Sequence, residues 1–202
     1  MRIVMTPTKI AITGHTKGIG KELYDYYSAL GIEVLGFSRT NGYDISKADA
    51  QERIINESLD CDLFINSAYF RYSQIDLLQR WYGHHYKKPN FMIVNLSSLA
   101  GDASMFLGKV YPYGLHKKAL DDVSYQMNLS AGCKCKIINV KPGHVKTDFL
   151  MDTNTYTFAQ LRQPRSILDL EKLIKVIAFT IDISDENSYI SSITYKGDTS
   201  TI

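Results

Sequence analysis

The sequence predicts an α/β fold, with a doubly wound parallel sheet of about seven strands in a three-layer α/β/α sandwich. Short apolar segments alternate with longer amphipathic ones along the chain, which is the pattern of β-α-β units. The apolar segments lack alternating polar residues, so the strands belong in a sheet that is covered on both faces. Right-handed crossovers then place helices on both sides and a ligand beyond the carboxyl ends of the strands.

Size and composition narrow the function classes. The 202 residues fit one domain spanning 1–202, with residues 1–8 as an N-terminal extension. Three sparse cysteines are typical of reduced thiols and favour the cytoplasm. The net charge of +2 and the lack of a long Lys/Arg run argue against nucleic-acid binding. No apolar stretch reaches the ~20 residues of a membrane span. Because the neighbours His84 and His85 point to different helix faces, no metal site is expected.

The first half of the chain predicts three strands and three helices. Gly31 is a C′ glycine that ends the first helix. Ser46 with Asp49 resembles a capping box that opens the second helix, and Ser73 with Asp76 opens the third. The predicted strands are Lys9–Thr13, Glu33–Phe37 and 62–65, and the predicted helices are 18–30, 46–59 and 73–86.

The second half predicts three further strands and two helices. The run FMIVNL is the most strand-like segment of the chain. Pro112 suits the first turn of a helix. The predicted strands are 91–96, 136–140 and 191–195, and the predicted helices are 112–130 and 169–180.

A glycine-rich turn, TGHTKGIG at residues 13–20, joins the first strand to the first helix. Glycine at 14, 18 and 20 permits a tight turn, close approach of a pyrophosphate and close packing of helix on strand. The helix that follows directs its free N–H groups and its positive dipole end at the anion. A plain strand-to-helix turn is the alternative, but the position at the start of a β-α-β unit favours dinucleotide binding.

The spacing TGxxxGIG resembles the signature of the short-chain dehydrogenase/reductase family, whose fold is of the Rossmann type. In that family these glycines line the cofactor pyrophosphate. The resemblance therefore implies this role for Gly14, Gly18 and Gly20, with Ile19 alongside.

The residues after the second strand bear on the choice of dinucleotide. A ribose 2′-hydroxyl calls for a carboxylate at this position, whereas a 2′-phosphate calls for cations. The chain has Ser38 and Arg39 here, with no acid until Asp44, and Lys17 lies in the glycine turn. Arg39 suits a phosphate by bidentate geometry and Lys17 as a point charge. The pattern favours NADP(H) over NAD(H), while two merely exposed cations stay the alternative.

A tyrosine and a lysine four residues apart lie on one helix face. Tyr113 and Lys117 match the Tyr-x-x-x-Lys of the family. The resemblance implies that Tyr113 exchanges the proton, while Lys117 lowers its pKa and binds the nicotinamide ribose. A phenol pKa near 10 must fall by ~2–3 for acid/base work near neutrality. Tyr111 is the rival phenol, but Leu115 stands where its lysine would be.

The strand at 91–96 runs into Asn95-Leu-Ser97-Ser98, which resembles the Asn-x-Ser-Ser of the family. The resemblance implies that Ser98 polarises a substrate carbonyl, with Ser97 as the less favoured neighbour. A hydroxyl at this position can stabilise charge that develops on a carbonyl oxygen. The alternative is that both serines only end the strand.

The segment Asn66-Ser67-Ala68-Tyr69 resembles the Asn-Asn-Ala-Gly of the family, which backs the adenosine side and steadies the sheet centre. Asn66 and Ala68 match the motif, and Ser67 and Tyr69 depart from it.

The segment 142–147 resembles the Pro-Gly-x-x-x-Thr of the family, which touches the nicotinamide carboxamide. The resemblance assigns cofactor contact to Pro142, Gly143, Val145 and Thr147. Asp44 resembles the acid that follows the third strand of the family and hydrogen-bonds adenine.

Two stretches depart from the family pattern or vary within it. The family often has an asparagine that relays protons from the lysine through water, but none lies between Ser67 and Lys88. The interval 66–98 is also shorter than in typical members of the family. The sequence therefore leaves open whether the chain forms a homo-oligomer, either a dimer or a tetramer. Residues 148–164 are predicted to be the substrate loop.

The sequence therefore predicts an NADPH-dependent oxidoreductase that transfers hydride between nicotinamide and a small-molecule carbonyl or alcohol substrate. The alternative is a dinucleotide-binding regulatory or scaffold protein with the fold but weak or no catalysis. A nucleotide-sugar epimerase is less favoured because the C-terminal part is short.

Overall fold

The structure is a computed structural model that describes residues 7–102, 105–106, 109–145, 147, 167–185 and 188–197. Within these residues a six-stranded parallel sheet has the order β2-β1-β3-β4-β7-β8. A short antiparallel pair, β5 and β6, lies apart from it. The strands are β1 (Lys9–Thr13), β2 (Glu33–Phe37), β3 (Leu63–Asn66), β4 (Met92–Leu96), β5 (Met105–Phe106), β6 (Lys109–Val110), β7 (Lys136–Pro142) and β8 (Ser192–Tyr195).

Five helices accompany these strands. They are α1 (Gly18–Ala29), α2 (Ala48–Glu57), α3 (Ser73–His85), α4 (Pro112–Asn128) and α5 (Leu170–Asp182). Each crossover of the main sheet joins parallel strands, which confirms the predicted doubly wound α/β fold. Gly31 follows α1 with a φ of +77°, and Pro112 occupies the first turn of α4, as predicted.

Side chains alternate between two cores because successive residues of a strand face opposite sides of the sheet. On β1, Ile10 and Ile12 pack on one side with residues of α1 and α5, including Leu23. Ala11 packs on the other side with residues of α2, α3 and α4, including Trp81. These two cores form the boundaries between the three layers.

One local prediction was wrong. Ser46 does not cap α2, since the helix begins at Ala48 with Lys47 at the N-cap position, and Ser46 instead donates its backbone N–H to the Asp44 carboxylate (3.0 Å). The helix predicted to open at Ser73 does begin there.

The main sheet has six strands within the described residues, where about seven were expected. The resemblance places a strand just before Asp44, but residues 42–44 are irregular there. Arg39 begins a short 3₁₀ turn directly after β2, so the described sheet ends at β2 on this side. No helix among the described residues is long and apolar enough to cross a membrane.

Candidate active site

Four neighbouring strands of the main sheet each carry a polar residue in one row near the carboxyl ends of the strands, which we call the polar edge. Thr13, Asn66, Asn95 and Asn139 lie side by side in the registers of β1, β3, β4 and β7. The Asn66 amide donates to Asn95 Oδ1 (3.0 Å), and the Asn95 amide donates to Asn139 Oδ1 (3.1 Å). Asn66 is fully buried, so it supports this edge from beneath and is not placed to touch a cofactor directly.

The glycine turn fits a bound pyrophosphate. Gly14 and Gly18 have φ values of +76° and +60°, which favour glycine. A methyl group on Gly14 would lie 3.1 Å from the backbone of Ala68, and one on Gly20 would collide with the Gly14 carbonyl. The first turn of α1 carries no acidic residue that would repel an anion. The turn and the start of α1 therefore form a close backbone cradle for a phosphate group.

The Pro-Gly segment lies opposite this turn. A methyl group on Gly18 would lie 3.7 Å from Thr147 Cγ2. The Gly143 N–H donates to the Tyr195 carbonyl (2.8 Å), and Val145 forms an isolated bridge with Leu168. The end of β7 is thereby held beside the start of α1, while Pro142 is buried within β7.

The predicted residues for the adenosine end differ in exposure. Lys17 and Arg39 are both exposed, whereas Ser38 is buried. The Ser38 backbone N–H donates to Asn41 Oδ1 (2.8 Å), and its hydroxyl donates to the same oxygen (3.0 Å). Ser38 therefore shapes the turn that carries Arg39. The bond from Ser46 lowers the pKa of Asp44.

Ser98, Tyr113 and Lys117 meet at the polar edge. Ser98 follows β4, and its Oγ accepts from the Ala100 N–H (3.1 Å). Its side chain also hydrogen-bonds Tyr113, in a sense that lowers the phenol pKa. Lys117 Nζ lies 5.5 Å from the centre of the Tyr113 ring. The rival Tyr111 lies beside them, with its ring centre 5.8 Å from that of Tyr113.

The pKa of Tyr113 is raised in the cofactor-free protein. Burial raises it to about 12, and the bond from Ser98 offsets this only in part. Burial also lowers the pKa of Lys117 to about 7, against the effect of Asp121. Without a bound dinucleotide, desolvation therefore outweighs the groups that favour the phenolate.

Lys117 is only 3% exposed and its ammonium is held by the protein itself. Its Nζ donates to Gln74 Oε1 (2.6 Å) and to the Leu96 carbonyl (2.6 Å). Gln74 belongs to none of the motifs found in the sequence. The signal was available, because Gln74 shares the buried face of α3 with Leu77 and Trp81, three and seven residues on.

Tyr69 occupies space beside the catalytic candidates. Its ring packs edge-to-face on Tyr113 with 4.8 Å between ring centres, and Lys117 Nζ lies 5.2 Å from the Tyr69 ring centre. The Tyr69 hydroxyl is 2.7 Å from His116 Nδ1. The departure of Tyr69 from the Asn-Asn-Ala-Gly motif therefore has a structural consequence: a phenol ring covers Lys117.

The predicted substrate loop at 148–164 lies outside the described residues, as do residues 1–6 of the predicted extension. Within the part of the chain that the structure describes, no three His, Cys, Asp or Glu side chains cluster as a metal site.

No protein-family model matches the sequence, and neither does any curated protein. Solved structures do resemble it in fold. One is the 3-alpha-hydroxysteroid dehydrogenase of Pseudomonas sp. B-0831 complexed with NADH, with a TM-score of 0.77 at 18% identity over 92% of this chain and 94% of that one. A second is a short-chain dehydrogenase/reductase of Brucella melitensis described as a glucose/ribitol dehydrogenase, with a TM-score of 0.73 at 18% identity over 96% and 97%.

A third is the closed form of a serine dehydrogenase complexed with NADP+, with a TM-score of 0.73 at 14% identity over 96% of both chains. The chain therefore has the fold of the short-chain dehydrogenases/reductases.

Proposed function

We propose that this chain is an NADPH-dependent oxidoreductase of the short-chain dehydrogenase/reductase family that interconverts a small-molecule carbonyl and its alcohol. One observation carries the proposal: Ser98, Tyr113 and Lys117 gather at the sheet edge that also bears the glycine turn. Ligands of doubly wound sheets bind at this edge. The printed descriptions of the similar structures include complexes with NADH and with NADP+.

The dinucleotide is proposed to bind along this edge. Gly14, Gly18 and Gly20 let the start of α1 approach the pyrophosphate, with Ile19 beside it. The exposed cations of Lys17 and Arg39 are available for a 2′-phosphate, which supports NADP(H) over NAD(H).

At the other end of the edge, the resemblance assigns the nicotinamide contacts to Val145 and Thr147. Thr147 lies beside Gly18, and Val145 is held by its bridge to Leu168. The set that the resemblance assigns to the cofactor also includes Asp44, Ala68, Pro142 and Gly143.

The chemistry is proposed as follows. Bound nicotinamide would supply or accept the hydride. The Ser98 hydroxyl donates to the carbonyl oxygen of the substrate and stabilises the charge that develops there. Tyr113 gives its proton to the same oxygen, and its raised pKa keeps it protonated at neutral pH. A charged Lys117 near the ring favours the phenolate that remains.

Replacement of the phenol hydroxyl tests the proposal. Tyr113→Phe removes the proton donor and leaves the ring, so we expect NADPH oxidation on a panel of ketones and aldehydes to fall by at least ~100-fold. The affinity for NADPH, measured by fluorescence titration, should change little. Tyr111→Phe is the matched control and should retain most of the activity. Equal turnover in Tyr113→Phe and the unmodified protein would remove Tyr113 from the mechanism.

The alternative function is a dinucleotide-binding regulator or scaffold with weak or no catalysis. It is favoured by the covered state of Lys117, which is held by Gln74 and Leu96 under the ring of Tyr69. Tight NADPH binding without NADPH oxidation across diverse carbonyl compounds would favour this alternative.

A further inference from the structure

Gln74 is a buried amide in the first turn of α3, and it connects three elements of the fold. It is 2% exposed. Its Oε1 accepts from Lys117 Nζ of α4, while its Nε2 donates to the Asn66 carbonyl of β3 (2.8 Å) and the Leu96 carbonyl of β4 (3.3 Å). A buried amide needs such partners, and here both ends of the amide have them.

The chemistry of these partners fixes which way the amide points. An ammonium group only donates hydrogen bonds, and carbonyl oxygens only accept them. In the reverse orientation, the Gln74 NH₂ group would face the Lys117 ammonium and its oxygen would face the Asn66 carbonyl. The backbone of α3 is tied to the same place, because the Asn66 side chain donates to the Gln74 carbonyl (2.8 Å).

The hydrogen-bond capacity of Lys117 shows what this contact does. An ammonium has three N–H groups. Gln74 Oε1 and the Leu96 carbonyl accept two of them at 2.6 Å each. Within the part of the chain that the structure describes, these two acceptors leave one N–H for a group that binds next to Tyr113. A lysine side chain has much rotational freedom, so two fixed acceptors set the position of its nitrogen.

We propose that Gln74 is the positioning residue for Lys117, and that its direct bond takes the place of the water-mediated link through a helix asparagine that the family pattern has. The inference rests on the proposed function, because it concerns the lysine of that site. Gln74 holds the nitrogen at the polar edge, keeps its charged form hydrogen-bonded and leaves one N–H for the site.

Other groups that face Lys117 bear on any test by titration. Tyr113 and Asp121 belong to the same helix, and Asp121 favours the charged lysine. Tyr69 lies over Nζ from the segment after β3. The pKa of His116 is lowered by burial and in part by Lys117. These groups are unchanged in variants of Gln74, so the variants isolate the effect of the amide.

The experiment follows the ionisation of Lys117 in the cofactor-free protein. Lysine labelled with ¹³C at Cε is titrated by NMR, and the signal is assigned by its loss in Lys117→Met. Gln74→Glu has the same shape and places a carboxylate beside the ammonium, so the titration midpoint should rise by one pH unit or more. Gln74→Met removes an acceptor and should lower it.

Gln51→Met is the matched control. Gln51 is also a buried glutamine near the start of a helix, but its Nε2 donates to the Ile45 carbonyl (2.8 Å). It should leave the Lys117 midpoint unchanged. If Gln74 only stabilises the fold, Gln74→Glu and Gln74→Met both lower the unfolding temperature and neither moves the Lys117 midpoint. That result would overturn the proposal.

A measurement on the unmodified protein keeps the test independent of the folding of any variant. The side-chain NH₂ resonances of Gln74 should follow the titration of Lys117, and resonances that stay constant through it would overturn the contact. If the unmodified protein shows no NADPH turnover, that result counts against the proposed function alone, because neither titration depends on turnover. Where turnover is present, Gln74→Glu should also shift the pH profile of kcat.

Discussion

The glycine turn at residues 13–20 and the Tyr113–Lys117 turn of α4 meet the same edge of the sheet but are built in opposite ways. The glycine turn carries no side chain at residues 14, 18 and 20, and a methyl group at Gly20 has no room. The lysine end is filled by the protein's own groups, namely Gln74, Leu96 and the ring of Tyr69. One end is a preformed cradle. The other must exchange contacts within the protein for contacts with a ligand.

The largest effect is expected at the preformed end. Gly20→Ala puts a methyl group against the Gly14 carbonyl, a backbone atom that cannot move independently. We expect the free energy of unfolding to fall by ~2–3 kcal/mol and NADPH binding to be lost, measured by urea denaturation and fluorescence titration.

Gly83→Ala is the control within α3, since a methyl group there meets nothing within 4 Å. It should raise stability by ~0.5–1 kcal/mol, because alanine is the better helix former. A stable Gly20→Ala protein that still binds NADPH would show that the turn is not closely packed.

The second effect concerns the buried amine. Folding lowers the pKa of Lys117 from 10.5 to about 7. Between these two pH values the unfolded chain therefore binds more protons than the folded protein does. Lys117 therefore costs stability near neutrality, and that cost disappears as the pH rises.

We expect the unfolding free energy of the unmodified protein, relative to that of Lys117→Met, to rise by ~2 kcal/mol between about pH 7 and pH 9. Urea denaturation at both pH values measures it. Lys118→Met, at an exposed neighbour, is the control and should show no such trend. A flat difference for Lys117→Met would mean that the lysine stays charged in the fold.

The third effect tests the adenosine end of the cradle. Arg39 is exposed on the turn that Ser38 shapes. Arg39→Ala should weaken NADPH binding by ~10-fold or more and leave NADH binding nearly unchanged, because only NADPH carries the 2′-phosphate. Equal affinities of the unmodified protein for the two dinucleotides would refute the phosphate assignment.

The smallest effect is expected at the covered end. Tyr69→Ala removes the ring that packs on Tyr113 and covers Lys117. A ligand then displaces fewer contacts, so NADPH should bind ~3–10-fold more tightly. Tyr72→Ala removes a nearby exposed ring that contacts His116 and should leave the affinity unchanged. Weaker NADPH binding in Tyr69→Ala would instead make Tyr69 part of the binding surface.

Local patterns in the sequence determined most of the fold. The bounds of β1 and β2, the C′ glycine at Gly31 and the proline turn at Pro112 all match the structure. Each depends on neighbours in sequence: the alternation of apolar runs, the left-handed φ that glycine allows, and the fixed φ of proline. The capping assignment at Ser46 was wrong. Ser46 instead donates its backbone N–H to the carboxylate of Asp44, a residue as close to it in sequence as the helix it was expected to cap.

The sequence also identified Ser98, Tyr113 and Lys117 as a set, but not the electrostatics that surround them. Only the tertiary structure brings Gln74 and Tyr69 onto Lys117, since these residues come from separate parts of the chain. The raised pKa of Tyr113 in the cofactor-free protein comes from burial, which depends on everything that packs around the ring. Sequence spacing fixes which groups share a helix face, whereas the number of water molecules that they lose is decided by the whole fold.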